Sequence, residues 1–203
     1  MRKLLAVLTV VTMCWICASS QGFFLIYKMS TPVKGVNDAR TATIPLKAYL
    51  VLDINDSTGE VQDANLIMYG KDSDKSKVFV ELDNTGDELL DIDVWEQGDY
   101  VVVNFWSYED PFDFEGLILG KTKSKDIGLG SSEDIAGSLK GVLMVWGGIL
   151  LDTSDDIAGT GNISASFWSK ATIEVNENGW TQDEIVDELK DILQGQGYDE
   201  FTP

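Results

Sequence analysis

Between Ile44 and Ile54 every second residue is apolar. Ile44, Leu46, Ala48, Leu50, Leu52 and Ile54 fall on one side of an extended chain, with Pro45, Lys47, Asp53 and Asn55 on the other. A helix, with its period of 3.6, scatters such a set around its axis; a strand collects it on one face. The same alternation recurs along most of the chain: Ala64, Leu66 and Met68; Val78, Val80 and Leu82; Leu90, Ile92 and Val94; Val101, Val103 and Phe105; Phe112, Phe114, Gly116 and Ile118; Ile163, Ala165 and Phe167. Turn-forming segments punctuate it at intervals of roughly eight to twelve residues, among them Asp56-Ser57-Thr58-Gly59, Asp83-Asn84-Thr85-Gly86 and Gln97-Gly98-Asp99. The expectation is an all-β fold: a mainly antiparallel meander of about eight or nine strands, as a barrel or a strongly curved sheet or sandwich. It starts at a strand over Phe23 to Met29 and ends in a strand returning over Thr160 to Val175.

One motif appears three times. Leu46-Lys47-Ala48-Tyr49-Leu50-Val51, Phe114-Glu115-Gly116-Leu117-Ile118-Leu119 and Leu139-Lys140-Gly141-Val142-Leu143-Met144 each read bulky, charged, small, then three bulky residues. The last opens an uncharged run, Gly141 to Leu151, in which Gly147-Gly148 fits either a bend in one strand or a hairpin turn. These segments are apolar on both sides. A half-exposed sheet does not require that, so the second face of the strand, Val142, Met144 and Trp146, should be covered. A helix, the apolar run Phe23 to Tyr27, an apolar ligand or a partner would each serve.

The cover most visible in the sequence is a helix over about residues 181–194. Thr181-Gln182-Asp183-Glu184 has the form of a capping box, with Trp180 placed to staple onto Ile185. Ile185, Val186, Leu189, Ile192 and Leu193 make an apolar stripe, Gly195 can end the helix, and residues 196–203 read as a frayed tail.

Residues 1–20 stand apart. Met1-Arg2-Lys3 is basic, Leu4 to Ile16 is apolar and Cys17-Ala18-Ser19-Ser20 is small, the form of a secretory signal peptide. Two alternatives are an uncleaved anchor over Leu4 to Tyr27 and a lipoprotein modified at Cys17. With the signal removed, residues 21–203 make a single exported domain, in the periplasm, at the cell surface or outside the cell, with no transmembrane span. Both cysteines, Cys14 and Cys17, lie in the signal and the chain has no histidine. Thiol nucleophiles, Cys/His zinc sites and histidine-based triads are therefore excluded from the mature domain. The signal holds two basic residues and no acid. The remainder has 13 basic and 34 acidic side chains, a net charge of −21 that disfavours nucleic acid and anionic membranes.

The candidate chemistry is sparse. Asp53, Asn55, Ser57 and Glu60 alternate oxygens as a calcium loop does, but Thr58 and Ala64 stand where an EF-hand needs Gly and Glu. Asp152, Asp155, Asp156 and Asn162 form a second oxygen-rich turn without a recognised spacing. No cofactor is expected beyond a weak claim for calcium at these turns. Asp91, Asp93, Glu109, Asp110, Asp113 and Glu115 could pair as glycosidase carboxylates. They lie among Trp95, Trp106 and Tyr108, the best local set for sugar or protein contacts.

The order of parts, a signal, a strand meander and one late helix, resembles the layout of lipocalin-type barrels. Gly22-Phe23-Phe24 stands where that family carries Gly-x-Trp, so the resemblance is one of layout. The residues read as a non-enzymatic binding or envelope-associated protein, with a small apolar molecule held by the barrel or curved sheet as the first expectation. The alternatives are a surface module for a glycan or an envelope protein, and a carboxylate-dependent glycoside hydrolase. The contact residues expected are Trp95, Trp106, Tyr108, Val142, Met144 and Trp146, with no catalytic, cofactor or metal residue assigned.

Overall fold

The computed structural model describes residues 22–36, 41–55, 60–71, 75–84, 90–97, 100–109, 112–121, 138–145 and 158–201. The long strands are β1 (Gly22–Val36), β2 (Thr41–Asn55), β3 (Val61–Lys71), β4 (Lys77–Asp83), β5 (Asp91–Gln97), β6 (Tyr100–Glu109), β7 (Phe112–Lys121), β8 (Ser138–Val145) and β9 (Ala158–Phe167). Two helices follow, α1 (Ser169–Asn178) and α2 (Gln182–Gly195), and then a two-residue strand, β10 (Asp199–Glu200). They build one sheet in the order β10-β4-β3-β2-β1-β9-β8-β7-β6-β5. Every pairing is antiparallel except that of β10 with β4. The sheet is not closed: β10 and β5 stand at its two ends.

The topology makes two arms. β1 to β4 form one, β9 back to β5 form the other, and the β1–β9 pairing joins them. The inner faces of both arms contribute to one buried cluster. Leu50, Leu66 and Val80 come from the first arm, and Phe105, Ile118 and Leu143 from the second. The period-two sets of β2 to β9 are thus the core, as their alternation implies. Ile44 and Phe112 have their backbones in β2 and β7, but their side chains lie outside the described residues.

The small third position of the repeated motif has a steric cause. A Cβ on Gly116 would stand 2.1 Å from the Phe105 ring, and one on Gly141 would stand 1.7 Å from the backbone oxygen of Leu117. Both glycines face the core, where a ring or a neighbouring backbone fills the space a side chain would take.

Two expectations fail in the C-terminal quarter. Residues to Val175 do not continue the last strand: β9 ends at Phe167, opposite Tyr27 of β1, and α1 begins two residues later. Past that point β1 lacks a strand neighbour on this side, and α1 supplies side chains instead. Ile26 N donates to Thr172 Oγ1 (3.1 Å) and Phe24 N to Asn176 Oδ1 (2.8 Å), while Asn176 Nδ2 donates back to Phe24 O (2.9 Å). Thr172 and Asn176, one turn apart, therefore do the work of a strand edge. Gly179, with φ 66°, ends α1 in the left-handed conformation.

The capping box of α2 is present: Thr181 Oγ1 accepts from Glu184 N, and Thr181 N donates to Glu184 Oε2 (2.8 Å). Ile185, Val186, Leu189 and Leu193 are buried, with Ile192 half-buried at the edge of the stripe. The tail is not frayed over its described part. Gly197 turns the chain at φ 81°, Tyr198 packs edge-on to Tyr69, and Phe201 N donates to Phe79 O at 2.7 Å. Residues 1–21 lie outside the described set, as do Trp146, the Gly147-Gly148 pair and the turns at 56–59 and 152–156. Phe23 to Tyr27 belongs to β1 and pairs with β2. Among the described residues no helix is long and apolar enough to cross a membrane.

Candidate functional site

The outer side of the sheet divides in two. Over β1 to β4 it is roofed. Phe24, Ile26, Tyr49, Val51, Ile67 and Phe79 form a second core with Val175 of α1 and with Ile185, Leu189 and Leu193 of α2. A polar chain holds this roof down. Gln182 Nε2 donates to Asn65 Oδ1, Asn65 Nδ2 donates to Glu81 Oε1 (2.7 Å), and Lys190 pairs with Glu81. Burial acts to lower the Lys190 ammonium, but the hydrogen bond and charge of Glu81 outweigh it, and its pKa is raised. At the end of this arm Asp53 lies opposite Asp63. Partial burial raises the pKa of both carboxyls, and their mutual repulsion raises that of Asp53 further.

The roof stops at β9. The outer residues of that strand, Thr160, Asn162, Ser164 and Ser166, are all exposed and all polar. Beyond them no described element covers the outer face of β8 to β5, on which Val102 is buried, Asn104 and Trp106 are half-buried and their larger apolar neighbours are exposed. Pairing sets its residues in rows. Trp95, Val102, Leu119 and Lys140 make one; Asp93, Asn104, Leu117 and Val142 the next; Asp91, Trp106, Glu115 and Met144 a third. Tyr108 and Asp113 extend the face at one end, and Tyr100 at the other. Neighbouring strands lie about 4.8 Å apart, so each row is in side-chain contact across the sheet.

The expected cover of β7 and β8 is therefore absent among the described residues. β8 is an interior strand with one buried face, Leu139 and Leu143, and one open face, on which Val142 is 45% exposed and Met144 37%. The reason is topological. The helices follow β9 and are tied to β1, so they fall on the first arm, over Tyr49 and Val51. The equivalent motif residues Leu117 and Leu119, on the second arm, remain 40% and 43% exposed.

Five of the six residues expected to make contacts lie on this bare face. Trp95, Tyr108, Val142 and Met144 are exposed and Trp106 is half-buried, while Trp146 lies outside the described residues. Leu117, Leu119 and Tyr100 join them. Tyr100 was legible in principle as the outward position of β6 in phase with Trp106 and Tyr108. Of the carboxylates considered for catalysis, the Glu109 side chain and Asp110 lie outside the described residues. Asp91 and Glu115 flank Trp106 on the open sheet, and Asp93 stands beside Asn104. Among the described residues no three side chains are grouped to hold a metal ion. Inside the fold, the opening lined by Met29, Met68, Phe105 and Ile163 has a volume of about 20 Å³, room for about one water.

Seven of the eight large apolar side chains that are exposed among the described residues share this face, Ile173 on α1 being the other. Its composition is aromatic and aliphatic at the centre. Asp91, Asp93, Asp113 and Glu115 lie along one end; Lys140 lies at the opposite end, where Lys121 of β7 pairs with Tyr100. Comparison with protein-family models, with curated proteins and with solved structures returns no significant match, so these residues alone carry the functional reading.

Proposed function

We propose that this protein is an exported, non-enzymatic interaction module that docks a second protein on the outer face of β5 to β8. The observation that carries the reading is the concentration of exposed apolar side chains on that one face. Scattered apolar residues are normal on a soluble surface; a contiguous patch with a polar margin marks an interface. Aromatic and methionine side chains at the centre, with charge kept to the rim, match the anatomy of protein–protein contacts. Burying what remains exposed of Leu117, Leu119 or Val142 would contribute about 1 kcal/mol each. The acidic rim and the net charge of −19 favour a partner bordered by basic residues and oppose face-to-face pairing of two identical copies.

A photo-crosslinking phenylalanine placed at position 117 and, separately, at position 173 tests this in the native cell-envelope fraction. The expected result is one discrete heterologous adduct from position 117 and none from position 173. Excess wild-type protein should compete it away, and the double variant Leu117→Asp/Val142→Asp should not. Adducts only between copies of this chain, or equal adducts from both positions, would contradict the reading. Trp95, Trp106 and Tyr108 also favour a glycan as the second reading. Saturable binding to a glycan array that Trp106→Ala abolishes and Val142→Asp leaves intact would establish that reading in its place.

A further inference from the structure

A second opening lies on the roofed side, remote from the bare face. It is a cleft of about 150 Å³ between α1 and α2, floored by Ile26 of the sheet. Trp168 and Trp180 stand at its sides, with Val175 from one helix and Leu189 and Ile192 from the other. The helix stripes that line it each carry one acid. Glu174 follows Ala171 by three positions and Glu188 follows Ile185 by three, so each carboxylate shares a face with apolar residues one turn away. Glu174 and Glu188 both line the cleft, both are exposed, and neither has an ion-pair partner among the described residues. Trp168 already attracts one ammonium, Nζ of Lys28, which lies 3.4 Å from its ring centroid.

We infer that the cleft between α1 and α2 binds a small apolar cation: a primary or quaternary ammonium carrying an alkyl or aryl group of about six carbons. Three features set that class. A cavity of this volume with aliphatic and aromatic walls takes a benzene-sized group. Indole rings favour a cation over a neutral or anionic head by the charge distribution of their faces. Among the described residues that line the cleft the charged ones are these two carboxylates, both negative, while the Lys28 ammonium lies against the Trp168 ring and is not among the lining residues. An anionic head of the same size would meet both carboxylates at close range.

The test is calorimetric titration of the full mature protein with hexyltrimethylammonium, hexanol and hexanoate, with amide chemical shifts locating the site. The expected result is saturable binding of the ammonium at least tenfold tighter than the alcohol, none of the carboxylate, and shifts centred on Ala171, Val175, Leu189 and Ile192. Glu174→Gln/Glu188→Gln should remove the tenfold preference and keep the weaker alkyl binding. Glu177→Gln/Asp191→Asn, an equal change of charge at exposed positions of the same helices, should leave it intact. Absence of saturable binding, equal binding of alcohol and ammonium, shifts elsewhere, or an equal loss in both double variants would overturn the inference.

Discussion

Val51 and Val142 offer a matched pair of perturbations. Both are valines in repeats of one motif, both lie in interior strands, and both point to the outer side of the same sheet. They differ in cover: Val51 is 0% exposed beneath the helices and Val142 is 45% exposed. Replacing either with aspartate carries the same intrinsic strand penalty, at most about 1 kcal/mol. At Val142 the new carboxylate reaches water, and only part of a valine's burial is lost, so the total is about 1–2 kcal/mol. At Val51 the full burial of about 1.5–3 kcal/mol is lost, and a charge is placed in a dry contact at several kcal/mol more. The two variants should differ by at least about 3 kcal/mol. For a chain of this length that is a gap of roughly 6–12 °C in Tm, or about a molar or more in the urea midpoint. The Val51→Asp deficit should also shrink in acid, where the buried carboxyl takes up a proton. Equal destabilisation of the two variants, or a tolerated Val51→Asp, would refute the division of the sheet into a roofed arm and an open one.

Two further expectations concern the frame around the site. Asp53 and Asp63 have raised pKa values in the folded protein, so the folded state holds protons that the unfolded chain releases. Their contribution is therefore present in acid and fades as pH rises from the ordinary carboxylate range through the shifted values. Urea midpoints should fall across that window, and Asp53→Asn, which removes one member of the pair, should flatten the fall and raise the midpoint at pH 7. A steeper fall in the variant would show the reasoning wrong. Gly141→Ala drives a Cβ into the backbone oxygen of Leu117 and should cost about 1–3 kcal/mol with loss of amide protection at the β7–β8 pairing; unchanged hydrogen exchange there would contradict the close approach.

The strands were legible because each declares itself locally. In β2, β3 and β4 the alternating residues themselves are the inner face. The capping box of α2 is equally local, since Thr181 and Glu184 bond to each other's backbone. α1 was not legible. Ile173-Glu174-Val175 alternates as a strand does, and the bonds that favour a helix join Thr172 and Asn176 to residues 146 and 152 positions earlier. β10 carries no local strand signal, because its pairing with β4 follows from where α2 delivers the chain. The candidate site was half legible. Double-sided apolarity was visible in all three copies of the motif, at Tyr49 and Val51, Leu117 and Leu119, and Val142 and Met144. Which copy would be covered was not, because the strand order decides it and no residue within the motif records that order.

The most direct measurement of the half-roofed sheet is methyl relaxation in the presence of a soluble gadolinium chelate. In the free mature protein the methyls of Leu117, Leu119, Val142 and Met144 should broaden strongly, while those of Val51, Ile67, Ile185 and Leu193 should not, matching their burial. Protection of the Leu117 and Val142 methyls in the free protein would mean that the face is already covered, and the docking surface proposed for it would not exist.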